Sequence, residues 1–254
     1  MELRAQPAGG YRYLTGISAY SSGVIAEPGH EIVHAVLQAP LLLADGFALI
    51  DRHLAAEGRP RQALCAMQLR SPAPFSFAGF AAFNRGYGDT LADWQLLVDS
   101  DNPMARTNVA PVVRPPAEPS VHAFSYTVPG EPGRPTFIVA GAGEVVRQSL
   151  DSEAIVREGE TSDDAMREKA AHVMAVMAAR LDGLGVGWPD VTASAVYTAW
   201  PLQPFLATTL LEPMGPAAAH GVNWTLSLPP IAGLEFEMGL RGVRRELRLA
   251  AAGG

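Results

Sequence analysis

A chain of 254 residues, 48% hydrophobic and 18% charged, can bury one large or two small cores, which excludes a disordered protein. Its net charge of −7, with no cluster of Lys and Arg, argues against nucleic acid as a partner and leaves open a small anion held by one well-placed arginine. No segment reads as a signal peptide or membrane span, since MELRAQPAGG lacks an apolar core and APLLLADGFALI is broken by Asp45, so a soluble, cytoplasmic protein is expected.

In chain order, ISAYSSGVIA reads as a strand, and PGHEIVHAVLQ follows it. His30, Glu31 and His34 match the H-E-x-x-H signature of zinc peptidases, which works only on a helix, where residues four apart share a face about 6 Å apart along the axis. The turn pair Pro28-Gly29, the lack of a capping residue and the β-branched Ile32, Val33 and Val36 favour a hairpin strand instead. On a strand the two imidazoles would stand about 13 Å apart, so no metal is expected. LLLADGFALIDRHLAAEG is an amphipathic helix closed by Gly58, and ALCAMQL is a strand in which the sole cysteine, Cys65, is buried. A single cysteine also rules out an internal disulfide. A short helix near FSFAGFAAFNRGY and the strands ARTNVAPVV and VHAFSYTV complete this half.

After the Pro/Gly-rich link Pro129 to Pro135 the order repeats. TFIVAGAGEV is a strand, and TSDDAMREKAAHVMAVMAARLDGLG is a helix that opens on Thr161 or Ser162 and ends at Gly185. VTASAVYTA, a short helix near LQPFLATTLLEP, NWTLSL and LEFEMGLRGV follow. Leu54 and Leu181, Gly58 and Gly185, Leu64 and Val191, and Leu69 and Val196 are each offset by 127 residues (181 − 54, 185 − 58, 191 − 64, 196 − 69). The expected unit is β-β-α-β-α-β-β, an α+β fold with helices on one face of each sheet and two units at residues 1–130 and 131–254.

This unit resembles the RidA (YjgF/YER057c) family of imine and enamine deaminases, whose fold is chorismate-mutase-like. ISAYSSGV is similar to its G-P-Y-S-Q stretch, NPMARTNVAPV to P-A-R-S-x-V-x-V, FIVAGAGEV to V-x-V-S-G-Q, and LEFEMGL to the terminal I-E-I-E-A strand. A narrower resemblance is to the 2-aminomuconate and 2-amino-5-chloromuconate deaminases.

The resemblance implies cofactor-independent hydrolysis of a 2-imino or 2-enamino acid to a 2-oxo acid and ammonia. Arg106 would clamp the substrate carboxylate, because a guanidinium makes two parallel charge-assisted bonds. Glu235 would orient or deprotonate the water. Tyr20 would close the pocket, Gly141 would offer a backbone N–H to the carboxylate, and Glu144 would assist. Asn108 stands where the family often has Cys, so a thiol is not part of the mechanism. Each half lacks one member of the Arg–Glu pair: His122 falls near the acid position of the first and His220 near the arginine position of the second. A cleft between unlike units would then join Arg106 to Glu235. The family also implies a homotrimer of six such domains. The structural alternatives are a surface arginine, glutamates on a solvent-facing strand edge, and a scaffold that binds a small carboxylate without turnover.

Overall fold

The computed structural model describes residues 1–146 and 155–250. Among the described residues thirteen strands form two sheets. In chain order they are β1 (Leu3–Gln6), β2 (Tyr11–Leu14), β3 (Gly23–Ala26), β4 (His30–Leu42), β5 (Leu64–Arg70), β6 (Ala105–Pro111) and β7 (Ser120–Pro129). Beyond the Pro/Gly link come β8 (Phe137–Gly143), β9 (Ala193–Tyr197), β10 (Asn223–Thr225), β11 (Ser227–Leu228), β12 (Glu237–Gly242) and β13 (Arg245–Leu249). The long helices are α1 (Leu43–Ala56), α2 (Phe77–Asp93) and α3 (Asp163–Leu184).

The helix boundaries follow the local chemistry. Ser162 caps α3 by accepting from the Ala165 N–H at 3.3 Å, and Asp163 and Asp164 place negative charge at the positive end of the helix. Gly58 and Gly185 follow the first and third helices with φ of 65° and 74°, a left-handed conformation that costs a residue with a Cβ about 1 kcal/mol. The 127-residue offset persists in the backbone: the 3₁₀ turns Arg61–Ala63 and Trp188–Asp190 each lead from a helix into the next strand. α2 is a full 17-residue helix capped by Ser76, longer than its sequence suggested. Its counterpart, Leu206–His220, is an irregular run of π, α and 3₁₀ turns.

The sheets mirror each other. One contains the order β6-β5-β7-β4 and the other β10-β9-β12-β8; β5 and β9 each pair with one parallel and one antiparallel neighbour. The chain ends cross over. β3 pairs with β8, extending the second sheet with β2 and β1, while β13 pairs in parallel with β4 at the edge of the first. Strand β4 is thus no hairpin with the strand before it; its partners are β7 and β13. NWTLSL divides between the sheets, β10 joining one and β11 the other.

Each sheet buries one face against its own helix. Met166, Val173, Met177 and Leu181 of α3 pack on Phe137, Val139, Met238 and Leu240, and Phe47, Ile50 and Leu54 of α1 belong to a core with Met67, Phe124 and Tyr126. At about 1.5–3 kcal/mol per buried large side chain, these contacts hold the helices down. A third cluster, Tyr11, Tyr13, Val24, Ile32, Cys65, Ala105 and Ala140, lies where the sheets face each other. Cys65 is fully buried, and burial pushes its thiol far above its usual pKa, as its strand neighbours suggested. The H-E-x-x-H residues lie on β4, as expected. His34 is buried with Nδ1 2.9 Å from Ser125 Oγ, a geometry unlike a shared-ion pair. Among the described residues no helix is long and apolar enough to cross a membrane.

Candidate active site

Residues from both sheets, α2 and α3 line a cavity of about 80 Å³, room for several waters. Arg106 and Asn108 of β6 and Phe77 and Phe80 of α2 form one wall. Val176 and Arg180 of α3, Gly141 of β8 and Glu237 of β12 form the other. Tyr20 and Ile17 from the loop before β3, and Ile231 and Leu234 from the loop before β12, close the ends.

Arg106 is 2% exposed on a strand covered by α2, because the aromatic residues of that helix surround its guanidinium. The carbon Cζ lies 4.9 Å from the Tyr87 ring centre and 5.0 Å from that of Tyr20, and Nη2 donates to Asn84 Oδ1 at 2.6 Å. These contacts fix the fork and leave Nη1 buried without a partner. Asn108 accepts from Ser71 Oγ at 2.9 Å, which holds its amide so that Nδ2 is likewise without a partner. Arg180 donates through Nη1 to the carbonyls of Ala140 at 2.8 Å and Gly141 at 3.3 Å, within the irregularity that interrupts β8–β12 pairing. Bulges leave such carbonyls free, and here an arginine satisfies them. Its Nε has no partner.

Glu237 is 4% exposed and lies within electrostatic reach of both arginines. Burial pushes its carboxyl up to about 8, with Arg180 and Arg106 opposing the rise and Glu144 adding to it. A carboxyl that exchanges a proton near neutral pH is suited to acid–base work. Burial also raises the Tyr20 phenol, which stays neutral.

Four of the residues read from sequence, Arg106, Asn108, Tyr20 and Gly141, line this cavity, and Glu144 lies behind it. Glu144 does not face the cavity, however, and is no solvated turn charge. It is fully buried, paired with Lys169 Nζ at 3.2 Å, and accepts from the backbone N–H groups of Glu235 at 2.6 Å and Phe236 at 3.1 Å. Glu235 lies outside the cavity lining. Its backbone is pinned by Glu144, and its carboxylate accepts from Trp200 Nε1 at 2.8 Å. The acid that lines the cavity is Glu237, two residues further on.

The two histidines lie apart from this cavity. His220 is exposed at the end of the irregular helical run. His122 is depressed to about 3 by burial and by the nearby Arg70, His34 and Arg248, and neither residue lines the cavity. Sequence reading missed Glu237 and Arg180. The first was in view as the second glutamate of LEFEM; the second had no signal, since MAARLDG reads as a helix end with a surface charge. Among the described residues no group of three His, Cys, Asp or Glu could hold a metal ion.

An α+β protein of two facing sheets with a buried arginine–carboxyl cavity between its halves is the class that fold and site define. The family model described as 2-aminomuconate deaminase CnbZ matches residues 3–247, and the chain belongs to that family. It is 41% identical over 241 residues to the 2-amino-5-chloromuconate deaminase of Comamonas testosteroni, covering 94% of this chain and 95% of that protein. Among solved structures, a chorismatase aligns over 87% of this chain and 77% of its own with 13% identity and a TM-score of 0.47. A Thermotoga maritima protein described as a candidate endoribonuclease aligns over 45% of this chain and 83% of its own with 19% identity and a TM-score of 0.32.

Proposed function

We propose that this protein hydrolyses a 2-aminomuconate-type enamine acid to the 2-oxo acid and ammonia, without a cofactor, in the cavity between its halves. The observation that carries the reading is the placement of Arg106 and Glu237 on one cavity, the first from β6 and the second from β12. Arg106 holds the carboxylate beside the reacting carbon through its free Nη1 edge, and the Tyr20 and Tyr87 rings keep the fork in place.

Glu237 begins protonated and gives its proton to the enamine β-carbon, which turns the C–N bond into an iminium. The resulting carboxylate takes a proton from water as the oxygen attacks the iminium carbon, the one that bears the nitrogen, giving a carbinolamine. The carboxyl then protonates the amine, the C–N bond breaks, and the hydroxyl proton returns to Glu237 as the carbonyl forms. The net change is enamine plus water to ketone plus ammonia, with the acid restored. A group poised near neutrality serves both directions of transfer.

The reading includes two RidA-like units divided near residue 130, supported by the mirrored strand orders. It also includes a cytoplasmic homotrimer. Val112, Val113, Trp224 and Leu226, exposed apolar residues near the β10–β11 crossing, supply surface for a contact between copies. Sedimentation at micromolar concentration tests the trimer. Ammonia release from 2-aminomuconate tests the chemistry: turnover above the spontaneous rate is expected, and decay at the spontaneous rate refutes it.

A further inference from the structure

Among the described residues, three buried donor atoms in the cavity have no partner: Arg106 Nη1, Asn108 Nδ2 and Arg180 Nε. All three are N–H groups, and the three residues are 2–3% exposed. A buried donor without an acceptor costs about 1–3 kcal/mol, more when charged, so these atoms mark where a ligand supplies acceptors. They also lie on two walls. Arg106 and Asn108 belong to β6, whereas Arg180 reaches in from α3, and Glu237 lies within electrostatic reach of both arginines.

A single carboxylate brings one negative charge to a cavity that two buried guanidiniums line. Two buried guanidiniums, with no ion pair to either among the described residues, call for two negative charges. Apolar side chains that line the same cavity, among them Phe80, Val176, Ile231 and Leu234, suit a hydrocarbon chain linking two carboxylates.

We infer that Arg180 is a specificity-determining residue that binds the distal carboxylate of a linear dicarboxylate, while Arg106 and Asn108 hold the carboxylate next to the reacting carbon. This rests on the deaminase reading for which end reacts, but not for the two-ended binding itself. Arg180 has a second task in holding the Ala140 and Gly141 carbonyls, so its test needs an internal gauge of an intact cavity.

The probes are hexa-2,4-dienedioate (muconate) and hexa-2,4-dienoate (sorbate), which share a carbon skeleton and differ in the second carboxylate. Titration calorimetry on the full chain should show muconate binding at least thirtyfold more tightly than sorbate. Arg180→Met should erase that preference by weakening muconate and leaving sorbate unchanged, whereas Arg106→Met should weaken both. Should Arg180→Met lose sorbate too, Arg180→Lys decides: native sorbate affinity with the preference cut at least tenfold supports the assignment. Equal binding of both probes to the native protein, or a native preference in whichever variant still binds sorbate normally, overturns it. A protein that passes this test yet leaves 2-aminomuconate intact refutes the deaminase reading alone, since neither probe has an amine to lose.

Discussion

Gly141 and Glu237 meet across the β8–β12 pair with no space for another atom: a Cβ on residue 141 would enter the surface of Glu237 Oε1 and press on Thr107 Cγ2 at 3.1 Å. The glycine is required by close approach of the Glu237 carboxyl and not by its backbone angles. Gly141→Ala should therefore turn Glu237 out of line while leaving the fold intact. Turnover should fall about a hundredfold or more, the loss typical of a misplaced acid–base group. Steady-state kinetics beside a thermal melt would check it; native turnover in the alanine variant would contradict the placement.

The Glu237 carboxyl also makes stability depend on pH. Its folded value, about 8, lies above its ordinary value of 4.5, chiefly because it is buried. Between those values the folded state holds a proton that the unfolded state has lost. The contribution is thus full below the ordinary carboxylate range and disappears as pH rises toward 8, a change of roughly 3 to 5 kcal/mol. Chemical denaturation of native protein and Glu237→Gln across pH 5 to 8.5 should show a decline that the variant lacks. In the same window kcat/KM should fall above about pH 8, where the acid is spent before substrate binds.

His34 acts in the opposite direction. Burial, with Arg241 and Arg248 nearby, depresses it from 6.5 to about 3. The unfolded state then binds the extra proton between those values, so this contribution is present above pH 6.5 and is lost as pH falls toward 3. His34→Asn, which can still reach Ser125, should move the acid unfolding midpoint to lower pH. An unchanged acid limb would mean that His34 titrates normally.

Lys169 and Glu144 are both fully buried and 3.2 Å apart. Lys169→Met removes one member and leaves the other charge without its partner, which should cost about 3–5 kcal/mol. Lys169→Met with Glu144→Gln should recover part of that loss, because the uncompensated charge is gone while an acceptor for the Glu235 and Phe236 N–H groups remains. Denaturant midpoints of the two variants check this.

The legible features of this chain were local. Ser162 capping, left-handed Gly58 and Gly185, and the strand at His30–His34 follow from residue types within a few positions. Arg106, Tyr20 and Gly141 were legible through motif resemblance and line the cavity. Of the two glutamates Glu237 lines the cavity and Glu235 does not; both project to the same side of an extended chain, so residue types alone do not separate them. The choice between them is made by Glu144, 91 residues before Glu235, whose carboxylate fixes the chain just before β12 begins. Arg180 was illegible because its purpose depends on an irregularity in β8, not on helical periodicity. The exchanged edges, β3 on β8 and β13 on β4, are non-local pairings that strand propensity does not encode.

In the proposed reaction Glu237, and not Glu235, carries the proton transfers. Ammonia release from 2-aminomuconate by Glu237→Gln and Glu235→Gln, measured side by side with muconate affinity, tests it most directly. The expected result is a hundredfold or greater loss of kcat in Glu237→Gln with muconate still bound, and near-native turnover in Glu235→Gln, whose side chain contacts Trp200 instead of the cavity. A Glu237→Gln protein that turns over normally, or a Glu235→Gln protein with the larger loss of kcat, would contradict the account.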